Sequence, residues 1–358
     1  MTLGMEVLKE YLPSCWEEKC RELGALCRAR EIKTPEELLA LNLLYMTEGE
    51  SLQITSALMK LAGINVNKNA VHERIKGSWE WLGWMAKSVL GENGFLMEKP
   101  EWLEGKELCL VDGSELALKG SKGGDYLLHY MFSLFEFSCR QFELTEKKEG
   151  EKLSLFSYKK GDIVIADRNY GNIKAIEYVK EKGAEFILRL RTGCFKMYDE
   201  QGNEIDILEY GKGLKDWEST ELECFYKQDK EFKPLKVCLM KKGEAKTQET
   251  EKKLRRKASR NQRQLSERSI GHNNYIIVAT NLLYTDRQIF ELYRARWQIE
   301  LVFKRLKSLF GFGNVPSKNP DSVKAWFYGK LLLAGVCEAS IKRSHFPPTH
   351  NSSGRECI

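Results

Sequence analysis

An α/β fold flanked by helical regions is predicted for this chain, from three observations. Short aliphatic runs end in Gly or Asp, as buried strands do: Glu107-Leu-Cys-Leu-Val111 precedes Asp112-Gly113-Ser114, and Gly161-Asp-Ile-Val-Ile-Ala166 precedes Asp167-Arg168-Asn169-Tyr170-Gly171. Helical periodicity dominates both ends of the sequence, and a stretch of short strands interrupts the middle. The 358 residues suit two or three domains with a sizeable core, and 42% hydrophobic with 30% charged residues is an ordinary globular composition. No apolar run approaches the ~20 residues that span a bilayer. The N-terminus also lacks the basic-then-apolar layout of a signal peptide, so a cytoplasmic protein with no membrane association is expected. Ten cysteines are scattered without a Cys-x-x-Cys pair or a nearby His, which reads as reduced packing residues and not as a zinc site.

Residues 1–100 read as helical. Thr34-Pro-Glu-Glu37 is a good helix start, with an N-cap threonine, proline at the first helical position and an acid at the third. Ser51 to Gly63 and Asn67 to Lys76 form two short helices around a Gly-Ile-Asn-Val turn. A helix-turn-helix with Asn69, His72, Arg74 and Lys76 facing DNA, and a plain helical hairpin packed on the core, both fit this pattern. Trp81 and Trp84 fall near one helix face, where core packing is expected.

Residues 101–191 order as strand, strand, strand, loop, strand, helix, strand. The second strand is placed at Tyr126 to Phe137, the third at Gln141 to Leu144, the helix at Ile173 to Glu181 and the last strand at Ala184 to Leu190. Residues 192–284 then hold short strands at Leu222 to Phe225, Leu235 to Met240 and Tyr275 to Ala279, plus a basic helix. Net charge is only +6, which permits nucleic-acid binding without demanding it. Its distribution says more: Lys241 to Ile270 carries eleven Lys/Arg against four Glu. Such a run is either a solvated helix or a phosphate-contacting surface.

Residues 285–343 bring the most specific segment, Tyr293-Arg-Ala-Arg296-Trp-Gln-Ile-Glu300-Leu-Val-Phe-Lys304-Arg-Leu-Lys307. At about 100° per residue, Tyr293, Arg296, Lys304 and Lys307 fall within roughly 40° of Glu300. One helix face thus carries an acid, an aromatic hydroxyl and three cations, beside an apolar stripe of Leu292, Ile299, Phe303, Leu306 and Phe310. An ordinary solvated helix with Glu/Lys pairs is the plain alternative. Residues 344–358 form a polar tail with adjacent prolines and no helical period, expected to be disordered.

Tyr-x2-Arg-x3-Glu-x6-Lys resembles the Tyr-Arg-Glu-Lys motif of the DDE transposases of bacterial insertion sequences, in the family named after insertion sequence four. Asp112-Gly113 and Asp167-Arg-x-Tyr-Gly171 resemble the blocks around that family's first and second catalytic aspartates, and the likeness runs from about Leu41 to Ser340. The resemblance implies a ribonuclease H-like catalytic core with a helical N-terminal DNA-binding region and a β-rich insertion. It implies that Asp112, Asp167 and Glu300 are catalytic metal ligands, and that Tyr293, Arg296, Lys304 and Lys307 contact DNA phosphates. Arg168 either joins them or braces Asp167. Three carboxylates without His or Cys select Mg²⁺ or Mn²⁺, and two such ions suit in-line phosphoryl transfer on DNA.

The implied function is transposition: cleavage at terminal inverted repeats of double-stranded DNA, then strand transfer into target DNA by a homodimer on paired ends. A metal-dependent nuclease that joins nothing, or a truncated derivative that binds ends and inhibits transposition, fits the same residues. The unpatterned tail motivates the latter. The repeat sequence, target preference and transposition route are not written in one chain.

Overall fold

The computed structural model describes residues 2–47, 51–92, 97–191, 195–262, 264–312 and 314–345. The tail expected to be disordered lies outside them from residue 346 onward. Its first two residues, Ser344 and His345, instead end a long helix.

Six helices open the chain: α1 (Thr2–Lys9), α2 (Trp16–Glu22), α3 (Pro35–Thr47), α4 (Leu52–Leu61), α5 (Lys68–Gly77) and α6 (Trp79–Glu92). The start of α3 is a capping box, since the Thr34 hydroxyl accepts from the Glu37 amide at 3.1 Å and the Glu37 carboxylate accepts from the Thr34 amide at 3.2 Å. Ser51 caps α4 and Asn67 caps α5. The Ser56 hydroxyl, donating to the Val66 carbonyl at 2.6 Å, fastens the turn between those helices. The last helix, α13 (Pro320–His345), packs along α6 and against α3 and α5, so the two ends of the chain share one bundle. Close approach there depends on glycine: a Cβ at Gly329 would stand 2.1 Å from the Met46 sulfur. Trp81 is fully buried, stacked on Trp16 at 6.0 Å and donating its indole N–H to the Trp16 carbonyl.

The centre is a mixed sheet. Its strands are β1 (Glu107–Leu118), β2 (Tyr126–Ser133), β3 (Ser138–Glu146), β4 (Asp162–Ala166), β5 (Glu185–Arg189), β6 (Ser219–Gln228), β7 (Glu231–Lys241) and β8 (Tyr275–Thr280). They lie in the order β3-β2-β1-β4-β5-β8-β7-β6, with a two-residue β9 (Asn314–Val315) beside the end of β1. Only β1-β4 and β4-β5 are parallel within the main order; the flanking hairpins are antiparallel. This is the α/β core expected of a ribonuclease H-like fold. Alternate residues of β1 serve opposite cores: Leu108 and Leu110 face the helical bundle, while Cys109 and Val111 face a second cluster that includes α7 (Ile173–Glu181).

Several boundaries differ from the sequence expectation, each for a pairing reason. The first strand does not stop at Val111 but runs to Leu118, because its antiparallel ladder with β2 continues to Leu116↔Tyr126 after the parallel ladder with β4 ends at Val111↔Ala166. The second strand stops at Ser133, short of Phe137, because Phe137 takes a positive φ of 46° in the turn to β3. The short strands expected after residue 192 join the core sheet: β8 pairs with β5 through Leu188↔Ala279, so β6, β7 and β8 extend it. Two further short helices, α8 (Ile207–Gly211) and α10 (Glu267–Asn273), and the basic helix α9 (Glu244–Arg260) complete this region.

His129, fully buried on β2, is held by Thr145 Oγ1 at 2.8 Å, and burial lowers its pKa to about 4. The unfolded chain takes up this proton near pH 6.5 while the folded chain refuses it, so stability contributed here is complete above pH 6.5 and is lost as pH falls toward 4. Urea unfolding should show a loss of about 2 kcal/mol between pH 7 and pH 5 that His129→Gln abolishes. An unchanged acid limb in that variant would assign the loss to other groups.

Candidate active site

The parallel pairing of β1 with β4 sets the site. Val111 and Ala166 are partners at the end of that ladder, on strands about 4.8 Å apart, so Asp112, still on β1, and Asp167, the first residue past β4, leave it side by side. Alternation along β1 turns Asp112 to the face of Leu108 and Leu110, where α12 (Trp297–Leu309) packs. Each aspartate is oriented locally. Asp112 Oδ1 accepts from the Gly113 amide at 2.8 Å, and Asp167 Oδ1 accepts from the Asn169 amide at 2.8 Å.

The segment carrying Tyr293 and Glu300 is not one continuous helix. It divides into α11 (Asp286–Arg294), opened by a Thr285–Gln288 capping box, and α12. Between them the Ala295, Arg296, Gln298 and Ile299 amides bond three residues back, the tighter 3₁₀ pattern. In such a turn residues three apart eclipse, so Arg296 lies over the Tyr293 ring, 5.9 Å from its centroid. Ile299, Val302, Phe303 and Leu306 bury the inner face of α12, with Phe303 edge-on to Tyr130 of β2 at 6.0 Å.

That seating brings the third carboxylate to the first. Arg296 Nη1 reaches Asp112 Oδ2 at 3.4 Å and Nη2 donates to Glu300 Oε1 at 2.5 Å. The Arg296 and Asp112 side chains are only 18% and 17% exposed, so this ion pair is shielded from solvent screening, whereas Glu300 is 43% exposed. Burial pushes the Asp112 carboxyl up to about 7; the Gly113 amide and Arg296 oppose the rise, and the charges of Asp167 and Glu151 add to it. Buried Tyr293 is likewise held above its ordinary value by desolvation.

Lys304 and Lys307 are exposed and share with Glu300, Gly113, Ser114, Phe303 and Ser308 an open groove of about 580 Å³. Arg305, on the same helix, is exposed but does not line this groove. Arg168 does not line this groove. It borders a separate hollow of about 300 Å³ with Arg189, Arg191, His272 and Tyr275. Of the helix-turn-helix candidates, Asn69 is exposed, but the other three are engaged within the chain. His72 meets the Ser322 hydroxyl at 3.3 Å, Arg74 donates to the Arg28 carbonyl at 2.7 Å, and Lys76 pairs with Glu73 at 3.3 Å.

Glu151, in the loop before β4, escaped the sequence reading. Its carboxylate lies over Gly113, where a Cβ would come within 2.6 Å of Oε1. Burial and the charge of Asp167 raise its pKa, while a hydrogen bond with Asn169 opposes the rise. The Gly in Asp112-Gly113 was the available signal, since a glycine beside a catalytic-type aspartate can mark a close approach.

Among the described residues no group of three His, Cys, Asp or Glu is gathered tightly enough to hold a metal ion. Arg296 stands between two of the carboxylates and supplies the neutralising charge itself. The donor set nevertheless fits a hard divalent cation: the ligating atoms are carboxylate oxygens, and desolvation makes the Asp112 negative charge costly until a cation offsets it. Among those residues, too, no helix is long and apolar enough to cross a membrane.

The sequence profile described as Transposase DDE domain matches residues 145–335, which include Asp167 and Glu300. Similar proteins include the InsL protein of insertion sequence element IS186A from Escherichia coli strain K12, 28% identical over 355 residues that cover 96% of this chain and 95% of that one. The transposase for insertion sequence element IS421 from Escherichia coli is 28% identical over 356 residues, with the same 96% and 95% coverage. The transposase for insertion sequence element IS231F from Bacillus thuringiensis subsp. israelensis is 26% identical over 236 residues, 61% of this chain and 49% of that one. With a family match over more than half its length, the chain belongs to the DDE transposases of insertion sequences, enzymes that cleave and transfer DNA and use divalent metal ions.

Proposed function

We propose that this protein moves an insertion sequence by binding its terminal inverted repeats and cutting and rejoining DNA at Asp112, Asp167 and Glu300. The observation that carries the reading is the Arg296 guanidinium bonded to both Asp112 and Glu300, which joins the ends of a 188-residue separation beside Asp167. Asp112, Asp167 and Glu300 would hold Mg²⁺ or Mn²⁺. Bound as a pair, the ions supply Lewis acidity at the attacking and departing oxygens of an in-line displacement at phosphorus.

The chain's own groups do the rest. Lys304 and Lys307 flank Glu300 in the open groove and hold DNA phosphates there by charge, so the scissile bond is positioned before reaction. Arg296, braced on the Tyr293 ring, is placed to exchange a carboxylate for a phosphate oxygen. Arg168 offers a further phosphate contact on the other side of Asp167. Asn69, with the less accessible His72, Arg74 and Lys76, belongs to the end-recognition surface of α5, within a DNA-binding unit of residues 1–100. Residues 101–191 and 285–343 form the catalytic part, and 192–284 the insertion whose basic helix α9 follows the DNA backbone. The protein works in the cytoplasm, on the nucleoid, as a homodimer on paired ends.

Supplying pre-cleaved terminal-repeat ends that carry a free 3′ hydroxyl, together with plasmid target and Mn²⁺, should give covalently joined products. Cutting of uncleaved ends with no joining of pre-cleaved ones would mean a nuclease and would overturn transposition by this chain.

A further inference from the structure

Glu151 sits where the two aspartate-bearing segments meet. Gly113 leaves the space for its carboxylate, since any Cβ there would collide with Oε1 at 2.6 Å, and the charge of Asp167 bears on it. A second feature points into the same place. Tyr170 is fully buried, and its hydroxyl has no hydrogen-bond partner among the described residues; burial first, and then the charges of Glu151, Asp112 and Asp167, hold its pKa well above the usual value. A buried hydroxyl left without a partner costs on the order of 1–3 kcal/mol, and a carboxylate drawn within its reach when a cation binds would remove that cost.

Resting on the metal-dependent reading above, we propose that Glu151 is a fourth carboxylate of the metal site, sharing a divalent cation with Asp167, and that the Tyr170 hydroxyl orients it. The chemistry is consistent with the position. Glu151 is a hard oxygen donor set over the backbone of Gly113, next to Asp112 in sequence, and a desolvated carboxylate there is stabilised by a divalent ion more than by water. Glycine at 113 is then required by the metal site and not by the strand, for any side chain would push the carboxylate off. Tyr170, on the short turn after Asp167, fixes the ligand's orientation in the way outer partners of metal ligands commonly do.

The test is Mn²⁺ binding by the full-length, DNA-free protein, read from the electron paramagnetic resonance of free Mn²⁺. Glu151→Gln should weaken binding about 10- to 100-fold or remove one of the bound ions, Glu151→Asp should recover part of it, and Tyr170→Phe should weaken it less. Melting in EDTA should be unchanged or higher for Glu151→Gln, because a buried charge is lost. Should that variant fold poorly, Gly113→Ala displaces the carboxylate without removing it and should weaken Mn²⁺ in the same way. Wild-type Mn²⁺ affinity and stoichiometry in both variants overturn the proposal. Asp112→Asn and Asp167→Asn run alongside: if they too bind Mn²⁺ like wild type, the metal reading of the whole site fails, and if only the Glu151 and Gly113 variants do, this inference alone fails.

Discussion

Replacing Asp112, Asp167 or Glu300 singly by Ala should lower nicking of a terminal-repeat duplex by on the order of 10³-fold or more, while DNA affinity changes little. The split follows from the geometry. Asp112 lies on β1, Asp167 just past the end of β4 and Glu300 on the seated helix α12, so on the proposed reading each variant removes one ligand without moving the others. On the proposed reading, affinity resides in phosphate contacts from the exposed lysines and the basic helix, which these variants leave alone. The folded state should tolerate Asp112→Ala in the absence of metal, because burial already disfavours the Asp112 carboxylate and pushes it up to about 7. Mn²⁺ should support cleavage and Ca²⁺ should permit binding with little chemistry. Undiminished nicking by any one variant would take that residue out of the site.

A second expected result separates two cations on one helix. Lys307→Ala should weaken binding at the cleavage end and reduce the salt slope by about one per lost phosphate contact. Arg305→Ala should do neither, since Arg305 lies about 140° around the helix from Glu300 and is absent from the groove that Lys304, Lys307 and Glu300 line. Arg296→Ala should be the most damaging of the three. It loses a phosphate contact and also frees Asp112 and Glu300 from the guanidinium that spaces them, so cleavage falls further than binding does. Equal effects of the Arg305 and Lys307 variants on slope and affinity would refute the assignment of the helix face.

Much of this arrangement was legible in the sequence where local signals and tertiary pairing agree. Thr34 with Glu37 marked the start of α3, and the aliphatic runs before Asp112 and Asp167 marked two strands, which the fold pairs in parallel. Where long-range pairing overrides local pattern, the sequence misled. Asp-Gly at 112–113 reads as the end of a strand, yet the antiparallel partner β2 carries the strand on to Leu118. Nothing local in the short strands after residue 192 says that β8 will pair with β5.

Spacing placed Tyr293, Arg296 and Glu300 together by assuming a regular helix. They are together, but through a 3₁₀ turn that stacks Arg296 on Tyr293, a detail no periodicity encodes. Glu151 was invisible because its neighbours Gly113 and Asn169 belong to other segments and its own loop carries no motif.

The site's central claim can be measured with crystals of the full chain grown in MnCl₂ and X-ray data collected at the manganese absorption edge. Anomalous density beside the carboxylates of Asp112 and Asp167, with Glu300 released from Arg296, is the predicted outcome. Contradiction would come from ordered carboxylates at these positions with no manganese between them at saturating concentration, or from manganese bound only at some other cluster of the chain.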